Sequence, residues 1–158
     1  AWTVGAVAAA ACAAMHLTTL PALKKAAGGL SPFDLRLRGY SEAEARALLA
    51  ALGPEAREQY LGIQGMLDTV FLTTCAAALV LAYRDLSPAL WLPLAVLPVG
   101  AGVTDAIENA RVARLLRDER PTAASIRAAS RMTRVKFAFY FAAFAVLIGL
   151  MVWPGGGR

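Results

Sequence analysis

The sequence predicts an all-α integral membrane protein, a four-helix bundle with a short amphipathic cytoplasmic helix between the first and second spans. Three observations predict it. Of 158 residues, 58% are hydrophobic and only 17% charged, and the mean hydropathy of +0.54 is too high for an ordinary soluble domain. Four segments approach the roughly 20 mainly apolar residues needed to cross a hydrocarbon core about 30 Å thick. Fourteen of the sixteen Lys and Arg residues fall in two alternate connections between those segments.

The first span covers residues 1–20. No basic region precedes its apolar run and Lys24 and Lys25 follow it, which reads as a membrane helix and not a signal peptide. Pro21, then Gly28-Gly29 and Ser31-Pro32, end it. The interfacial helix occupies residues 41–52: Ser41 and Glu44 form a capping box, and Ala45, Leu48, Leu49 and Leu52 repeat at helical spacing. Gly53-Pro54 stops it and starts the next helix. The second span, 61–83, is joined by a tight turn to the third, 89–110, which Pro93 and Pro98 are expected to kink. The fourth span, 137–153, follows a basic stretch suited to extending its helix into the cytoplasm. Residues 1–158 thus form a single transmembrane domain.

Six basic residues lie between the first two spans and eight between the last two. The positive-inside rule therefore places both connections in the cytoplasm and both termini outside. Trp2, Tyr83, Trp91 and Trp153 fall at the outer ends, as an aromatic belt requires. Richness in alanine and arginine points to a bacterial source, and the location is the bacterial inner membrane. The net charge of +5 suits anionic headgroups, not nucleic acid, for which no motif is present.

Ionisable groups within spans are costly and commonly mark working sites. Asp68 lies roughly 10 Å, Asp105 roughly 8 Å and His16 roughly 6 Å from the cytoplasmic ends of their helices, at about 1.5 Å per residue. Lys136 stands at the inner mouth of the fourth. Gln64 and Asp68 share one helix face, and Asp105, Glu108 and Asn109 share another. Gly62, Gly65, Gly100 and Gly102 suit close helix approach. Asp68, Asp105 and Glu108 are the candidate catalytic residues. Asn109, Arg131, Arg134, Lys136, Gln64 and His16 are the candidate substrate-binding residues.

Two catalytic readings follow. In one, the three carboxylates hold Mg²⁺ while Arg and Lys bind the phosphate of a lipid or isoprenoid, since hard oxygen ligands suit that ion. In the other, one carboxyl is a general acid and a second a base, without metal. The alternative is a non-catalytic lipid-binding or membrane-assembly protein whose acids and bases form a structural network. An oligomer is compatible with each. Cys12 and Cys75 form no C-x-x-C pair, and no inverted repeat suggests a transporter.

The L-D-x-x-F run at Leu67-Asp68-Thr69-Val70-Phe71 and the D-x-x-E-N run at Asp105-Ala106-Ile107-Glu108-Asn109 resemble a group of small bacterial four-helix inner-membrane proteins. The likeness extends to Gly53-Pro54-Glu55-Ala56-Arg57 with Tyr60, and to a lysine opening the last span. It implies the fold and the importance of Asp68, Asp105, Glu108, Asn109 and Lys136, not an activity; His16 lies outside the pattern.

Overall fold

The computed structural model describes residues 1–152, and among them there are helices and connections but no strand. The first helix, α1, is Trp2–Ala26. It passes the expected stop at Pro21 because a π turn, Met15–Thr19, lies immediately before it. A widened turn accommodates a residue that has no N–H to donate and whose ring crowds the preceding turn. The helix ends at Ala26 in a Schellman motif: Gly28, at φ 62°, donates to the Lys25 carbonyl (3.1 Å) and Gly29 to that of Lys24 (2.8 Å).

Helix α2, Glu42–Ala51, opens on a complete capping box. The Glu44 N–H donates to Ser41 Oγ (3.2 Å), and the Glu44 carboxylate accepts from the Ser41 N–H (2.7 Å). These bonds hold the Glu44 carboxyl below its usual range. Their contribution is therefore fully present above the ordinary value of 4.5 and is lost only as pH falls through the lowered one. Ser41→Ala is expected to cost about 1 kcal/mol at neutral pH, measured by denaturant unfolding.

Helix α3, Pro54–Leu86, contains a second π turn, Tyr60–Gln64. The expected third span, 89–110, divides differently. A short helix α4, Trp91–Leu94, ends at Ala95, and α5 runs from Val96 to Arg117. Pro98 lies in the first turn of α5, where a missing N–H is tolerated. The break at Ala95 thus replaces a kink within one continuous helix. Helix α6, Ala123–Val152, takes in the whole basic stretch before Phe137. Trp153 and the last residues lie outside the described residues.

Three helices, α1, α3 and α6, are long and apolar enough to cross a membrane. In their most apolar stretches only 33, 22 and 17% of residues are buried, so their apolar side chains face outward, the reverse of a water-soluble bundle. Exposed threonines turn their hydroxyls back onto the helix, as Thr69 does to the Gly65 carbonyl and Thr73 to that of Thr69 (both 2.8 Å). Helix α5 is not among the three, because its register carries Asp105, Glu108, Arg111, Arg114 and Arg117.

The most extensive packing is α5 on α6. Helix α3 packs on both, and α1 packs on the outside of α3. Of the four glycines expected at helix contacts, only Gly100 is required there: a Cβ would lie 2.5 Å from Phe139 Cε1. Tyr83 is not in an outer aromatic belt. It is fully buried and donates to the Ala143 carbonyl (2.6 Å), fixing α3 to α6. At the other end, Arg57 donates to the carbonyls of Leu49 (2.6 Å), Leu52 (3.1 Å) and Leu116 (2.9 Å), tying the C-termini of α2 and α5 to the start of α3.

Candidate functional site

Two apolar clusters enclose a polar layer. One, at the basic end, contains Leu23, Phe33, Leu48, Tyr60, Leu115 and Ile126; the other contains Ala8, Cys75, Leu79, Ala101, Tyr140 and Ala143. Between them each helix of the core contributes polar side chains at helical spacing. Gln64 and Asp68 come from α3, Asp105 and Glu108 from α5, and Thr133 and Lys136 from α6, all buried.

One half of this layer is closed. Lys136 Nζ donates to Asp105 Oδ1 and Glu108 Oε2, both at 2.9 Å. Tyr140 donates to Asp105 Oδ2 (3.0 Å) and Thr133 to Glu108 Oε1 (2.8 Å). Every carboxylate oxygen of this pair has a donor, so α5 and α6 are joined by a fully satisfied network.

The other half is acid-rich. Asp68 accepts a hydrogen bond from Asn109 Nδ2 and makes no ion pair among the described residues. Facing it is Asp34, which the sequence reading did not select. Asp34 belongs to a 3-10 turn, Phe33–Leu35, held by the Phe33 N–H donating to the Tyr60 hydroxyl (2.9 Å) and by the Phe33 ring packing 4.6 Å from that of Tyr40. Gln64 links the two carboxyls. It is four residues from Asp68, its Nε2 lies 3.4 Å from Asp34 Oδ2, and its carbonyl accepts from Thr19 of α1. Burial pushes the Asp34 carboxyl above its ordinary range against the pull of Lys136.

The π turns of α1 and α3 lie against each other here, supplying Thr19, Tyr60 and Gln64. Such turns are rare and are often found at functional sites. Beside them a cavity of about 70 Å³ opens between α3 and α5. Asp34, Tyr60, Gln64 and Asn109 form its polar wall, Leu61, Val112, Ala113 and Leu116 its apolar wall, and Arg117 also lines it.

The remaining sequence candidates are elsewhere. His16 is exposed on α1, its Nδ1 3.0 Å from the Cys12 carbonyl oxygen, and Arg131 and Arg134 are exposed on α6. The expected Mg²⁺ ligands do not converge: Asp105 and Glu108 address Lys136, Asp68 addresses Asn109, and no three His, Cys, Asp or Glu among the described residues are placed to hold a metal. The ammonium of Lys136 takes the place of a cation between Asp105 and Glu108, so this donor set does not fit the ion.

Tyr60, Thr133 and Tyr140 also went unselected, although Tyr60 precedes Gln64 by four residues and Tyr140 follows Lys136 by four. Asp34 sits in a non-repetitive connection and carries no periodic signal. Comparison with known protein families, characterised proteins and solved structures finds no match.

Proposed function

We propose that this is a multi-pass inner-membrane protein whose polar layer is a working site for the head of a lipid or isoprenoid. In this reading α5 crosses the membrane with the three more apolar helices, the basic connections lie in the cytoplasm, and the site opens in the cytoplasmic leaflet. The observation that carries it is the division of the layer. A purely structural network would satisfy its charges throughout, whereas Asp34 and Asp68 make no ion pair among the described residues, and Asp34 lines an opening together with Asn109, the hydrogen-bond donor to Asp68.

The chemistry this half suits is acid–base. Asp34 and Asp68 hold and transfer a proton at the bound head, while Gln64, Asn109 and Tyr60 orient it. The apolar tail lies along the exterior of α3 and α5, where Ile63, Met66, Val103 and Ile107 are exposed. The competing reading, a non-catalytic assembly protein, draws on the completeness of the Lys136 network.

Thermal unfolding of lipid-stripped protein, with and without native lipid extract, separates the two. Extract is expected to raise the Tm of the parent. Asp34→Asn and Asp68→Asn are expected to fold and lose that rise. No rise in the parent would favour the assembly reading.

A further inference from the structure

We infer that the cavity between α3 and α5 takes the primary ammonium of an aminophospholipid, with Arg117 receiving its phosphate; this rests on the lipid-site reading above. A polar wall of carboxyl, carboxamide and phenol oxygens, supplied by Asp34, Gln64, Asn109 and Tyr60, is complementary to a small cation carrying several N–H donors. Among the described residues no Lys or Arg makes an ion pair with Asp34, and Lys136 is engaged by Asp105 and Glu108.

Hydrogen-bonding capacity narrows the class: oxygen acceptors match an alkylammonium with its N–H donors, whereas a trimethylammonium has none to offer. Arg117, exposed in the last turn of α5, adds a guanidinium beside this acidic wall. A head with ammonium and phosphate a few bonds apart matches that order of charges, and guanidinium is suited to phosphate.

Leu61, Val112, Ala113 and Leu116 then accommodate the methylenes next to the head.

The test compares thermal unfolding in nanodiscs of a single-chain-length lipid set. Phosphatidylethanolamine is expected to raise the Tm of the parent over phosphatidylcholine, which keeps the phosphate but carries a trimethylated amine, and over phosphatidylglycerol, which has no amine. Asp34→Asn should abolish that difference. Arg117→Gln should reduce it.

Equal stabilisation by phosphatidylglycerol would overturn the amine assignment in favour of phosphate or general surface charge. Equal Tm values in all three lipids, with a rise from native extract, would overturn it while leaving the lipid site itself intact. If native extract is also without effect, both readings fail.

Discussion

Lys136→Met is expected to lower stability by about 3–5 kcal/mol, the effect of stranding charges in a buried pair. Lys136 is 4% exposed and is the only cation within ion-pair distance of Asp105 and Glu108 among the described residues. Methionine preserves much of the volume but leaves two carboxylates facing each other in the layer. The loss should be largely recovered in the triple variant Lys136→Met, Asp105→Asn, Glu108→Gln, because the stranded charge is removed with the lysine. Denaturant unfolding in detergent measures both. A triple variant no more stable than the single one would show that hydrogen-bond geometry, and not charge, governs this half of the layer.

Gly39→Ala is expected to have a comparable effect through the backbone. Gly39 adopts φ 76°, and a Cβ there would lie 2.6 Å from Ser130 Oγ, 3.0 Å from the Ser130 carbonyl oxygen and 3.2 Å from Arg134 Cγ. A left-handed conformation and overpacking together amount to about 2–5 kcal/mol. The neighbouring Tyr40 N–H donates to Ser130 Oγ (2.8 Å), so the clash falls on the bond that docks the loop onto α6. The expected result is a lowered Tm with faster tryptic cleavage at Arg36 and Arg38. Unchanged cleavage would mean that the loop carrying Asp34 is held by the packing of Phe33 alone.

The apolar helices were legible because composition and length determine what can face lipid. Helix α2 was legible because Ser41 and Glu44 mark its start by a local rule. Asp68, Asp105, Glu108 and Lys136 announced themselves as charges within apolar stretches. Their sharing of one ammonium did not, since spacing along a helix specifies a face but not the partner opposite it. The passage of α1 through Pro21 depended on a π turn, and the start of α5 at Val96 on a break at Ala95, neither of which has a simple periodic signature. Asp34 was hidden for a different reason. Its position comes from contacts distant in sequence, Phe33 with Tyr60 and Tyr40 with Ser130, which bring a connecting loop over the helices.

The division of the polar layer into a locked half and an open half is tested most directly by the thermal unfolding of lipid-stripped Asp34→Asn beside Lys136→Met. Because burial raises the Asp34 carboxyl, the stability this group contributes is greatest below its unfolded value of 3.8 and declines as pH rises through the folded one. Asp34→Asn should therefore raise the Tm at neutral pH, with the gain vanishing below pH 3.8, while Lys136→Met lowers it sharply. A fall in both variants at neutral pH would contradict the account and make the layer one continuous structural network.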